Sequence, residues 1–207
     1  RPASVESCIK RIATGVDDDD ELLSVKLTDG RQEIFMATSQ GQAIRFAEDD
    51  VRPMGRSAHG VIGMRLHEGD AAVEMESLRS KESTILTVTV RGYGKRTEVT
   101  DYRLQGRGGS GIINLKVTEK TGPVVQVMEV VPDDQVMVIT AFGKIIRTNV
   151  RNISVLGRPT QGVRLIHLEE GDTVVAVARV AEGDVDAEAG RAAGPEVIAD
   201  SAAGGAE

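Results

Sequence analysis

Apolar and polar residues alternate along this chain in short runs rich in β-branched side chains, and glycines punctuate the runs. Ile85-Leu86-Thr87-Val88-Thr89-Val90 and Gln135-Val136-Met137-Val138-Ile139-Thr140 are examples. A period of two with β-branched enrichment predicts half-buried strands, and flanking glycines predict tight turns. No convincing helical period is present outside the C-terminal stretch. The pattern therefore predicts an all-β fold.

The runs repeat. A Gly-Arg-x-x-x-Gly corner occurs as Gly55-Arg56-Ser57-Ala58-His59-Gly60, Gly106-Arg107-Gly108-Gly109-Ser110-Gly111 and Gly157-Arg158-Pro159-Thr160-Gln161-Gly162, 51 residues apart both times. Each corner follows a turn glycine and a basic or polar strand: Gly41 to Arg45, Gly94 to Glu98 and Gly143 to Arg147. Each precedes a second β-like run: Val61 to Leu66, Ile112 to Val117 and Val163 to Leu168. A further turn, as in Glu68-Gly69-Asp70 and Glu170-Gly171-Asp172, leads into the closing strand. Four short strands per unit of about 50 residues predict a β-propeller-like array. The expected division is three blades, about 34–83, 84–134 and 135–180. Residues 1–33 are expected to be a linker and the tail end of a preceding blade, with strands at Cys8 to Ala13 and Glu21 to Leu27. That makes about three and a half blades and implies a longer parent chain.

Charge changes the picture only after division. The 207 residues carry a net charge of −7, but residues 181–207 hold −6 and residues 1–33 hold −3. The body, 34–180, is slightly positive at +2. A near-neutral body can present a basic stripe if its cations share one edge. Residues 181–207, rich in Ala, Gly and acid, are expected to be a disordered acidic tail. The run Asp17 to Glu21 reads as a solvated turn rather than a metal site.

Several chemistries are disfavoured. Aromatics are only 2% of the chain, with no Trp, which argues against base-stacking recognition of single strands or RNA. No apolar run reaches the roughly 18 residues of a membrane helix. A lone cysteine, Cys8, excludes a disulfide framework and a cysteine zinc site within the chain and fits a reducing, cytoplasmic compartment. His59, His67 and His167 have no ligand spacing, and the six methionines mostly read as core filling. No phosphate-loop motif and no nucleophile or acid–base constellation is visible, so no residue is expected to be catalytic and none to bind a metal.

The corners can do chemistry of another kind. Glycines allow positive φ and close backbone approach, successive backbone N–H groups can form an anion nest, and an adjacent Arg adds a donor fork suited to phosphate. One corner per blade on a common rim is a design for bending duplex DNA by backbone contact. The alternative is that each corner is only a tight turn whose Arg pairs with an acid. The candidate phosphate contacts are Arg45, Arg52, Arg56, Lys95, Arg96, Arg103, Arg107, Lys144, Arg147, Arg151 and Arg158.

At these residues the sequence resembles the C-terminal domain of the DNA gyrase A subunit. The resemblance is carried by Arg45-Phe46-x5-Arg52-Pro53-Met54-Gly55-Arg56, Gly92-Tyr93-Gly94-Lys95-Arg96-Thr97, Tyr102 to Asn114, and Gly157-Arg158-x-Thr160-Gln161-Gly162-Val163-Arg164-Leu165-Ile166, and it covers residues 1 to about 182. It implies a β-pinwheel whose blades exchange strands and whose basic perimeter wraps duplex DNA. Gln105 to Gly111 resembles the family's glutamine-led basic box, with Gln105, Gly108, Gly109 and Gly111 shaping the corner and Gly106 and Ser110 where that box has basic residues. The full box is expected upstream. The resemblance further implies a non-catalytic part of an ATP-dependent type II topoisomerase. Its tyrosine nucleophile would lie elsewhere, its ATP and magnesium with the partner gyrase B subunit, and its assembly would contain a second gyrase A chain. It implies a cytoplasmic location on the bacterial chromosome and an acidic tail that tunes wrapping. A related topoisomerase IV domain and a propeller used only for protein interaction are the alternatives.

Overall fold

The computed structural model describes residues 22–55 and 58–180. The eleven strands in it are β1 Glu33–Thr38, β2 Gln42–Ala47, β3 Ala72–Leu78, β4 Thr84–Thr89, β5 Tyr93–Glu98, β6 Ile112–Ile113, β7 Val124–Val130, β8 Gln135–Thr140, β9 Ile145–Asn149, β10 Val163–Arg164 and β11 Val174–Arg179. They form three antiparallel sheets, ordered β3-β1-β2-β6, β10-β5-β4-β7 and β11-β8-β9. The fold is all-β and propeller-like, as the alternation predicts.

Each sheet is built on one hairpin. The turn glycines Gly41, Gly92 and Gly143 have φ of 80°, 75° and 83°, a region L side chains avoid. The counterpart of Gly41 is thus Gly92, two residues earlier than the repeat pattern suggests; Gly94 lies inside β5. A buried threonine pins every hairpin at the same register. Thr38, Thr89 and Thr140 accept the amides of Gln42, Tyr93 and Lys144 at 3.2 Å.

The fourth strand of a sheet comes from the next repeat. β6 adds to β2 through Gln42↔Ile113 and Ala43↔Ile112, and β10 adds to β5 through Val163↔Gly94 and Arg164↔Tyr93. The expected runs Ile112 to Val117 and Val163 to Leu168 therefore contain only two paired residues each, and they belong to the preceding blade. In the run Val61 to Leu66, Met64 alone forms a bridge, to Gly109. The third sheet has three strands among the described residues. Residues 22–32 contain no strand: Leu22, Leu23, Val25 and Leu27 are exposed, while Lys26 pairs with Glu76 at 3.0 Å. The expected strand at Cys8 to Ala13 and the acidic tail fall outside the described residues.

Apolar faces pack blade against blade. Phe35, Ala37, Ala43 and Leu78 meet Ile85, Val99, Tyr102, Leu115 and Val127 between the first two blades. Leu86, Val88 and Met128 meet Val136, Val138, Val150, Ile153 and Ile166 between the second and third. The middle blade is covered on both faces, so all six residues of β4 are buried, whereas β9 alternates between exposed and half-buried. β3 lies against β7 and β7 against β11, so these closing strands are innermost. β6 and β10 lie at the opposite, outer edges. The corners that lead into them are therefore on the perimeter.

Candidate nucleic-acid interface

The corners dock on the preceding repeat, and the two described junctions share one arginine contact 51 residues apart, Arg107 to Ile62 and Arg158 to Ile113. Arg107 donates from Nε to the carbonyl of Asp50 at 2.8 Å and from Nη1 to that of Ile62 at 3.1 Å; Arg158 donates to the carbonyl of Ile113 at 3.2 Å. Neither side chain pairs with an acid among the described residues; both bond to backbone carbonyls of the preceding repeat instead. The amide of Gly108 bonds to the carbonyl of Gly63, so it supports the blade junction instead of an open anion nest. Gly111 is obligatory: at φ 76°, a Cβ would lie 2.5 Å from the carbonyl oxygen of Ala43 and 2.7 Å from Met64 Cε. Gly109 is half-buried near Ile44, and Gln105 accepts from Arg103 Nε at 2.9 Å. Arg56 falls outside the described residues.

The strand cations behave differently from the expectation. Arg45, Lys95 and Arg96 are buried, with Lys95 at 0% exposure. Arg45 pairs with Glu33 and donates to the carbonyls of Val99 and Tyr102 at 2.9 and 2.8 Å. Arg96 donates to the carbonyl of Ile153, one repeat on from Tyr102. Lys95 Nζ donates to the carbonyls of Gly157 and Arg158 at 2.7 and 2.6 Å, holding the third corner from beneath. Burial, with the Arg158 charge second, lowers the Lys95 pKa to about 8. A neutral amine still has two N–H donors for those two carbonyls. In this arrangement the three side chains clasp the following repeat and present no charge to the perimeter.

Other candidates are on the surface. Arg52, Arg103, Lys144, Arg147 and Arg151 are exposed. Lys144 donates to the carbonyl of His167, Arg147 to Gln135, and Arg151 forms an ion pair with Asp133. No group of His, Cys, Asp or Glu suited to a metal occurs among the described residues. Tyr102 is buried, donates to Asn114 Oδ1 at 2.6 Å and packs edge-on against Phe35; burial pushes its phenol well above the ordinary range.

Comparison with known proteins decides the family. The model of the DNA gyrase C-terminal domain, beta-propeller, matches residues 32–78, 83–130 and 134–181. This chain belongs to that family. It is 45% identical over 175 residues to the DNA gyrase A subunit of Staphylococcus epidermidis, covering 84% of the chain and 20% of that protein. The chain thus spans about a fifth of the length of the curated relatives it matches. Among solved structures it resembles a DNA gyrase A C-terminal domain (TM-score 0.76, 28% identity, 84% of this chain and 60% of that one). It is equally similar in fold to the C-terminal domain of a DNA topoisomerase IV (TM-score 0.77, 28% identity, 86% of this chain and 58% of that one). The curated relative at 45% identity gives the gyrase assignment its weight.

This gyrase-family perimeter also contains basic positions outside the Gly-Arg corners. Arg65 and Lys116 are exposed and lie 51 residues apart. Their amides bond to carbonyls of the next corner, Arg65 to Gly109 at 2.9 Å and Lys116 to Thr160 at 3.0 Å. Each junction therefore sets one of them beside a corner: Arg65 with the Arg107 corner, Lys116 with the Arg158 corner. Sequence reasoning missed both, although a signal exists: a basic residue nine positions after the corner Arg recurs in both repeats, with His167 in the third. Arg164, exposed on the outermost strand β10, is a further cation absent from the expected contacts.

Proposed function

We propose that this chain binds duplex DNA along its perimeter and bends it, as the wrapping domain of a gyrase A subunit. The supporting observation is the repeated junction: two successive repeats set a corner arginine, exposed at Arg107 and half-buried at Arg158, and an exposed cation, Arg65 or Lys116, on the outer edge in one register. None of Arg65, Arg107, Lys116 or Arg158 forms an ion pair among the described residues. Such cations release counterions when they meet phosphates, and they read the backbone rather than base edges. The contacting set is Arg52, Arg65, Arg103, Arg107, Lys116, Lys144, Arg147, Arg151 and Arg158, with Arg56 at the first corner. Arg45, Lys95 and Arg96 hold the repeats that present it.

In the parent enzyme the bend would bias strand passage toward negative supercoils. The nucleophilic tyrosine would come from another region of the gyrase A chain, and ATP and magnesium would act in the gyrase B subunit. Neither a phosphate-loop motif nor a metal-ligand cluster among the described residues suits this chain to hold them. The assembly would be two gyrase A and two gyrase B chains on the bacterial chromosome.

The test is duplex affinity as a function of salt, with a short linear DNA and one of about 150 base pairs, near one persistence length. The expected result is a steep loss of affinity with salt, tighter binding of the longer DNA, and its compaction. No binding to either DNA at low salt would instead support a propeller that serves protein contacts.

A further inference from the structure

A cleft between the middle and third blades gathers Arg91, Lys120 and Arg164 around Tyr93. Tyr93 forms its wall, with Lys120 Nζ 5.3 Å and Arg164 Cζ 5.4 Å from the ring centre. Both distances are within cation–π range. Arg164 is further immobilised by donating to the Tyr93 hydroxyl at 2.8 Å and contacting His167 Nδ1 at 3.2 Å. Arg91 is a third cation on the lining, and the cleft encloses about 970 Å³. At the matching turns of the first and third repeats an aspartate caps the hairpin. Asp70 accepts the amides of Gln40 and Ala71, and Asp172 those of Phe142 and Thr173. In the middle repeat that aspartate is replaced by Thr121, buried and bonded within its own turn, and Lys120 stands beside it.

We propose that this cleft is a phosphate seat, in which Arg164 and Lys120, ordered by Tyr93, hold one phosphate of the bound duplex. The proposal rests on the duplex-binding reading for the source of the phosphate, and on the cleft alone for its chemistry. Arg164 lies on β10, six residues beyond the Arg158 corner, so its side of the seat is on the same outer edge, and Lys120 reaches it from the connection before β7. Neither Arg164 nor Lys120 has an acidic partner within 4.0 Å among the described residues. Of the acids that also line the cleft, Asp172 is turned into two amides, and Glu119 and Glu169 are exposed. Replacing both glutamates with glutamine should therefore tighten anion binding, because their repulsion would be removed.

Tyr93 is a built-in reporter. Arg164 and Lys120 lower its pKa, while Tyr102, the other tyrosine, is buried and titrates later. An anion seated between the two cations should screen them and move the Tyr93 titration back toward the ordinary value. The experiment follows tyrosinate absorbance of the whole chain with and without pyrophosphate. In parallel, duplex affinity is measured against salt for the wild type and for the pair Arg164→Gln, Lys120→Gln. The expected results are a Tyr93 titration raised by pyrophosphate in the wild type, and no such shift in Arg164→Gln. The double variant should lose about one phosphate contact, a log–log slope smaller by roughly 0.9. Tyr93→Phe, which keeps the ring and drops the hydroxyl, should weaken binding less than the double variant. A Tyr93 titration indifferent to pyrophosphate, with an unchanged duplex slope in the double variant, overturns the seat and leaves the perimeter reading intact. A wild type that shifts with pyrophosphate but binds no duplex keeps the anion seat and overturns the duplex as its source.

Discussion

Arg96 and Arg158 both belong to the junction between the second and third repeats, yet they do opposite things. Arg96 is buried in β5 and donates inward to the carbonyl of Ile153. Arg158 lies on the outer connection, braced by one bond to Ile113. The first junction repeats the contrast with Arg45 and Arg107. An inner seam of cations fastens one repeat to the next, and an outer row lies on the perimeter, where we propose that the duplex binds. A cation's role here is set by whether the following repeat lies over it. Arg147, at the register of Arg45 and Arg96, is exposed on β9, and no fourth strand pairs with β9 among the described residues.

The contrast can be broken most severely at the seam. Arg45→Ala strands two buried carbonyls and the Glu33 carboxylate, so it should cost about 3 kcal/mol or more in denaturant unfolding. The surviving folded fraction should bind DNA with the wild-type salt slope. Gly111→Ala should be comparably damaging, because its Cβ would strike the Ala43 carbonyl, whereas Gly106→Ala meets nothing within 4 Å and should be near neutral.

Lys95 gives a smaller effect with a pH signature. Its folded pKa, about 8, lies below the unfolded value, so between the two the unfolded chain binds more protons. Stability should therefore rise as pH increases from about 8 toward 10.4, by on the order of 1 to 3 kcal/mol. Subtracting the unfolding profile of Lys95→Met, which lacks the amine, from that of the wild type should cancel the other titrations and isolate that rise. Arg107→Ala should have a small effect on stability and a clear one on binding. It should change unfolding by less than about 0.5 kcal/mol and reduce the salt slope by roughly 0.9.

Much of this organisation is legible in the sequence. The 51-residue corner spacing identifies the repeats, and β-branched alternation identifies their hairpins. The strand exchange is not legible from pattern, because β6 and β10 are two residues long and a two-residue pairing has no period. Resemblance to the family supplies that expectation. Burial of Lys95 and Arg96 is hidden because a basic strand reads as a solvent face. β5 is instead enclosed by blades on both sides, and its cations find backbone carbonyls in a loop some 60 residues later in sequence. Arg65 and Lys116 are hidden for a simpler reason. They lie beyond the glycine pattern that marks each corner, and only the 51-residue register connects them to it.

The most direct test compares salt slopes for three proteins: the wild type, Lys116→Gln with Arg158→Gln, and Lys95→Met. The outer-edge pair should lower the slope by about 1.8, two contacts' worth, while Lys95→Met leaves it unchanged. A slope that falls with Lys95→Met and holds in the outer-edge pair would reverse the assignment of inner seam and outer contact.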